Sequence, residues 1–166
     1  MLLARSLIRL VLLAFVALLA PVGVMSAAAS PPTLAGGTFT TTSATFNSTR
    51  TAGGNTIIDL TAHVTYTGTF AGTSLVQGTL IFHADGSANF HDVETFTGTV
   101  NGVPGTVTFN LNGGSTPTGV YHGTDVIIRG TDGLATLHGV MTQVGTVHPP
   151  QGPLGTYTAH LLTAPR

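Results

Sequence analysis

Residues 56–70 read TIIDLTAHVTYTGTF, with Ile58, Leu60, Ala62, Val64 and Tyr66 apolar and Asp59, Thr61, His63 and Thr65 between them. Side chains of a strand point alternately to its two faces, so this stretch is a β-strand with one buried and one solvated side. The same alternation returns at intervals of about fifteen residues, punctuated by glycine, along the rest of the chain. Apart from the first residues, no helical spacing persists beyond about two turns. The chain therefore reads as all-β, with about eight strands: 37–46, 56–67, 74–83, 88–97, 106–112, 119–128, 137–147 and 154–162. A meander of that size closes into a single antiparallel β-barrel, which removes sheet edges and leaves an interior for side chains or one small ligand.

The connections carry their own signals. His83-Ala84-Asp85-Gly86-Ser87 joins two alternating runs through Asp-Gly, whose residues tolerate positive φ in a hairpin turn. Asn101-Gly102 and Asn112-Gly113-Gly114 are comparable turn formers. The segment 148–153, HPPQGP, has three prolines and no ladder donor at any of them, so it reads as a stiff loop before the last strand. The motif TYTGTF at 65–70 is echoed by TFTGTV at 95–100, with Gly68 and Gly98 at equivalent points. Neither contains a group that ionises at neutral pH, so the echo reads as a recurring corner, a bulge or a close backbone crossing.

Residues 1–29 have the layout of a secretory signal peptide: Arg5 and Arg9, an apolar run from Leu10 to Ala20, Pro21, then small residues from Ser26. The apolar run is shorter than the roughly 20 residues of a membrane helix, so no integral span is expected after cleavage. The expected organisation is leader 1–29, linker 30–36, barrel 37–162 and tail 163–166, in a protein secreted or held in the bacterial cell envelope. The chain has no cysteine, so burial alone must hold the domain. Beyond the leader the only cations are Arg50, Arg129 and Arg166, and lysine is absent. That argues against nucleic acid as a partner, which needs clustered positive charge.

Strand 88–97 breaks the pattern, because its aromatic face reads Phe90, Asp92, Glu94, Phe96. Burying a lone charge is costly, so either the register slips at a bulge or the carboxylates face a polar, solvated or ligand-holding cavity. An ion pair with Arg50 or Arg129 is the other plain reading. Strand 119–128 adds His122 to the face of Val120, Val126 and Ile128, and the last strand adds His160 to that of Leu154 and Leu162. The candidate lumen is therefore Phe90, Asp92, Glu94, Phe96, His122 and His160: apolar walls with a few convergent polar groups.

The order of motifs Gly37-Thr38-Phe39, TYTGTFAG, HADGSANFHDVETFTGTVNG, GVPGTVTFNLNGG and RGTDGLATLHGVM resembles the bacterial family known as domain of unknown function 3224. The resemblance spans about residues 36–162. It implies an eight-stranded barrel of the allene-oxide-cyclase-like or avidin-like kind and carries no established activity, so no catalytic residue transfers. Glu94 matches the acidic position ahead of the family's aromatic-x-Gly. The chain has no tryptophan, and with it goes the aromatic box with which avidins hold biotin.

No motif names a chemistry. His83, Asp85, His91 and Asp92 cluster near one hairpin, but their spacing fits no zinc pattern and Asp85 is explained by its turn, so no metal is expected. There is no G-x-S-x-G and no phosphate loop, so no cofactor is expected either. The reading is a monomeric or weakly oligomeric exported barrel that binds a small apolar or amphipathic molecule in its lumen. An isomerase or cyclase using Glu94 in the same cavity, and a structural or adhesion module with a filled barrel, are the competing readings.

Overall fold

The computed structural model describes residues 31–163; the expected leader at 1–29 and residues 164–166 lie outside them. Eight strands follow in order: β1 (Thr33–Ala52), β2 (Asn55–Gly68), β3 (Phe70–Phe82), β4 (Ala88–Val100), β5 (Val103–Ser115), β6 (Val120–Gly130), β7 (Leu137–His148) and β8 (Gly152–Thr163). Each pairs antiparallel with its neighbour in sequence, and β8 returns to β1 from Thr33–Leu161 to Thr40–Leu154, which closes the barrel. The strands exceed the alternation that announces them because glycine and proline sit inside ladders: Pro104 and Gly113 in β5, Pro153 near the start of β8. Only Pro149, Pro150 and Gln151 of the expected proline loop are turn, and β1 begins inside the stretch read as a linker.

Inward-facing positions alternate with exposed ones around the barrel, and most of the inward ones are buried, including Ile58, Ala62, Val64 and Tyr66 of β2, and Val107, Phe109 and Leu111 of β5. An interior of this width is filled in layers. One layer is aromatic: Phe70 meets Phe96 edge-on at 5.3 Å and Tyr157 at 5.8 Å, and Tyr66 meets Phe96 at 6.0 Å. Tyr157 also ties the layer to the backbone, its hydroxyl accepting from the Phe70 amide at 2.8 Å and donating to the Thr67 carbonyl at 3.1 Å.

The two ends differ. At the end holding the β2–β3 and β4–β5 connections, the short 3-10 turn η1 (Asp132–Leu134) follows β6 and buries Leu134 in the core cluster. At the opposite end, β1 runs on past its last pairing with β8 at Thr40, bends at irregularities between Thr41 and Ser43 and between Phe46 and Ser48, and keeps β2 as its partner. The inner face of this overhang, with Leu60, Leu80, Phe82 and the prolines after β7, encloses an apolar mouth of about 560 Å³.

Two expected faces are reversed. The inward row of β6 is Tyr121, Gly123, Asp125 and Ile127, and that of β8 is Tyr157, Ala159 and Leu161, so His122 and His160 lie exposed outside the barrel. The outer faces of β6, β7 and β8 carry Val120, Val126, Ile128, Val140, Val144, Leu154 and Leu162, all substantially exposed. Both faces are apolar, so counting branched aliphatics selects the wrong one, and the expectation that His122 and His160 line the lumen is corrected accordingly.

Candidate functional site

β4 threads the barrel without irregularity: its registers with β3 and β5 are continuous from Ala88 to Val100. No bulge turns its acids outward. From the aromatic layer toward the mouth, the inward residues are Phe96, Glu94, Asp92 and Phe90, and the first three are buried. Phe90 is half-buried and stacks on Tyr121 at 5.4 Å with nearly parallel rings. Arg50 and Arg129 are both exposed, and no arginine, lysine or histidine is among the buried residues described.

A third acid, Asp125 of β6, joins them with no solvent exposure. Asp92 and Asp125 both stand opposite Leu111 of β5, which places them at one level of the barrel. Gln143 of β7 organises the cluster. Its amide nitrogen donates to Asp125 Oδ2 at 2.7 Å and to the Tyr66 hydroxyl at 2.8 Å, and its carbonyl accepts from the Tyr121 hydroxyl at 3.1 Å. Against that, Asp92 Oδ1, Asp125 Oδ1, both Glu94 oxygens and Ser74 Oγ are buried with no partner in hydrogen-bond geometry. Native proteins leave few such groups, so each calls for an explanation.

Burial dominates the electrostatics. Loss of water pushes Glu94 up to about 7; the Ser74 and Tyr66 hydroxyls beside it act in the opposite sense, and the charge of Asp92 adds to the rise. Burial likewise raises Asp92 to about 6, with His91 on the outer face and the Thr79 backbone countering. Asp125 is raised well above the ordinary carboxylate range by burial and by the charge of Glu94, despite its bond to Gln143. Tyr66 and Tyr121, desolvated and facing these acids, stay neutral. The site thus holds dissociable protons near neutrality and an excess of acceptors, beneath an apolar opening.

Cross-strand rows connect this level to the mouth. Leu60 stands opposite Gly78, which stands opposite Asp92; Ala62 stands opposite Val76, which stands opposite Glu94. Leu60 and Ala62 line the mouth cavity. Gly78 leaves room for the Asp92 carboxyl, which a Cβ at that position would meet at 2.0 Å. Replacing Gln143 by Leu removes the one donor held by Asp125 Oδ2 and the link to both tyrosines. We expect a loss of about 2 kcal/mol in urea unfolding at mildly acid pH, with the barrel retained by circular dichroism.

A family model described as protein of unknown function (DUF3224) matches residues 35–148. The chain belongs to the DUF3224 family. A crystal structure of a DUF3224 protein of unknown function from Shewanella oneidensis MR-1 shares its fold at a TM-score of 0.60 and 18% identity, covering 81% of this chain and 99% of that one. No curated protein matches the chain. Membership of DUF3224 thus supplies the barrel and no activity, and the site has to be read from its own residues.

Of the expected site residues, Phe90, Asp92, Glu94 and Phe96 come together on the inner face of β4, while His122 and His160 do not join them. Asp125, Gln143, Tyr66, Tyr121 and Ser74 complete the cluster. Asp125 was readable in principle from the row Tyr121-Gly123-Asp125-Ile127, but an aspartate among valines invites placement in water. His83 and His91 bond to Asn55, Asn89 and Asn112 around the β3–β4 hairpin and on the outer face of β4, away from the lumen. Among the described residues no group of three His, Cys, Asp or Glu is placed to hold a metal ion, and no helix is long and apolar enough to cross a membrane.

Proposed function

We propose that this protein is an exported barrel that takes a small apolar or amphipathic molecule into its lumen through the mouth beside β1. The carrying observation is that the wall of the apolar cavity of about 560 Å³ is joined to buried acids by the cross-strand rows Leu60–Gly78–Asp92 and Ala62–Val76–Glu94. Small-molecule sites have this composition: mostly apolar wall and a few convergent polar groups. The leader-like residues 1–29 support export, and the scarcity of charge fits a partner other than nucleic acid.

An uncharged fluorophore, N-phenylnaphthylamine, tests the site. It should bind saturably at one molecule per barrel, and Ala44→Trp should weaken binding by at least ~10-fold. Ala44 is exposed and lines the mouth, so the indole obstructs the opening without entering the core. Binding unaffected by this substitution would place the molecule elsewhere and overturn the reading.

One observation favours a second reading, an isomerase or cyclase: Glu94, raised to about 7, is matched to proton transfer at neutral pH. Glu94→Gln separates the two. An enzyme loses turnover with affinity largely kept, whereas a binding protein changes affinity alone.

A further inference from the structure

The polar level of the lumen is one-sided. β4 contributes Asp92 and Glu94, and β6 contributes Asp125 and Tyr121. β2 contributes Tyr66, β8 contributes Tyr157 in the aromatic layer below, and β7 contributes the neutral Gln143. β1, β3 and β5 add Phe39 and Thr41, Ser74, and Phe109 and Leu111, none of them charged. Three buried carboxyls therefore lie within reach of one another's charge, with no positive side chain among the buried residues described. The Gln143 amide and the Tyr121 hydroxyl are engaged within the cluster, while the Tyr66 hydroxyl, which accepts from Gln143, and the Ser74 hydroxyl each keep one proton to offer beside Glu94. Acceptors remain in excess: four carboxyl oxygens, two on Glu94 and one each on Asp92 and Asp125, have no partner in hydrogen-bond geometry.

Resting on the lumen reading above, we propose that the barrel is selective for an organic cation with an apolar body, such as a primary alkylammonium. Its apolar body fills the mouth between Leu60, Leu80, Phe82 and Pro150, and its head donates to Glu94, Asp92 and Asp125. A carboxylate or phosphate head is excluded, because it would add negative charge where no cation offsets it and would bring acceptors to a place already short of donors. An alcohol offers one donor and no charge. An ammonium offers several donors and the missing positive charge, and its arrival allows an acid to ionise. Uptake of the cation is then coupled to release of a proton from the cluster.

The test is isothermal titration of the parent protein with octylammonium, octanol and octanoate, each in phosphate and in Tris at neutral pH. Octylammonium should bind at least ~10-fold more tightly than either other probe. Its apparent heat should differ between the two buffers by the ionisation of about one proton, and its affinity should rise from mildly acid to mildly alkaline pH, where an alkylamine is still charged. Glu94→Gln and Asp125→Asn, each near-isosteric, should erase the preference while octanol binding is kept, and Ala44→Trp should weaken all three. Octanol or octanoate binding as tightly as octylammonium, in a manner sensitive to Ala44→Trp, would overturn the cation inference and leave the lumen reading standing. Failure of every probe to bind, or binding indifferent to Ala44→Trp, would overturn the lumen reading itself. Should Glu94→Gln not fold, Asp92→Asn tests the same preference from the neighbouring acid.

Discussion

The barrel is expected to be markedly more stable in mild acid than in mild alkali, the reverse of a protein whose carboxylates are paired. Glu94 is raised from 4.5 to about 7 in the folded state and Asp92 from 3.8 to about 6, and Asp125 moves in the same direction. A carboxyl with a raised folded pKa binds its proton more tightly in the native state than in the unfolded chain. Its contribution is therefore fully present below the unfolded value and is lost as pH rises through the folded one. The window runs from about 4 to about 7, and the two acids together are worth on the order of 5 kcal/mol across it, less than their separate shifts would sum to because each responds to the other. Exposed Asp59 and Asp85 work oppositely: hydroxyls of Ser48 and Thr79, and of Ser87, lower their pKa values, so they favour the fold above the ordinary aspartate range and cease to do so in stronger acid. Maximal stability should fall near pH 4, at the lower edge of that window. The urea midpoint should drop by about 2 M on going from there to pH 8. Glu94→Gln should flatten that slope and exceed the parent at pH 8 while lying close to it at pH 4. A midpoint that climbs with pH through this window would show that the acids are paired or hydrated in solution.

That result would bear on which parts of the molecule the sequence discloses. β2, β4 and β5 were legible because their two faces differ chemically: threonine, histidine or asparagine on one side, aliphatic or aromatic residues on the other. The acids of β4 stood out for the same reason, as polar residues in a row of phenylalanines. β6 and β8 were not legible, since Val126 and Ile128 outside compete with Tyr121 and Ile127 inside, and Leu154 and Leu162 with Tyr157 and Leu161. A period of two gives the spacing of faces and not their orientation, so a strand apolar on both sides can be read either way. Asp125 was lost through that ambiguity, and Gln143 with it, because a neutral side chain marks no face until its hydrogen bonds are known. The mouth was hidden for another reason. It depends on where β1 stops pairing with β8, a long-range register that no local pattern encodes.

Gly98→Ala is expected to destabilise the barrel by about 3 kcal/mol or more, lowering the melting temperature by roughly 10 °C, a large effect for one methyl group. The repeated aromatic-Thr-Gly-Thr motif explains why. Tyr66 and Phe96 point inward and meet edge-on at 6.0 Å, and two residues further along each strand Gly68 and Gly98 face glycines of the neighbouring strand, Gly37 and Gly72. A Cβ on Gly98 would lie 2.3 Å from the Ala71 carbonyl oxygen, 2.8 Å from Gly72 Cα and 2.8 Å from the Phe96 ring. The first two obstacles are backbone and cannot rotate aside, so the strands must part and ladder bonds must lengthen. Conformation is not the objection at Gly98. At Gly68 it adds to the crowding, since φ is +97° and a Cβ would lie 2.5 Å from the Gly36 carbonyl oxygen. Gly36→Ala supplies the contrast: the nearest atom would be 3.4 Å away, an ordinary contact, so the change should stay within about 0.5 kcal/mol. Thermal melts of the two variants beside the parent decide the matter. If Gly98→Ala melts within about 2 °C of the parent, the paired glycines are not what lets the strands close round the aromatic layer. If it behaves as expected, the motif is a device of closure, and the proposed lumen site is confined to the level above it, where Glu94 and Asp92 interrupt the aromatic row.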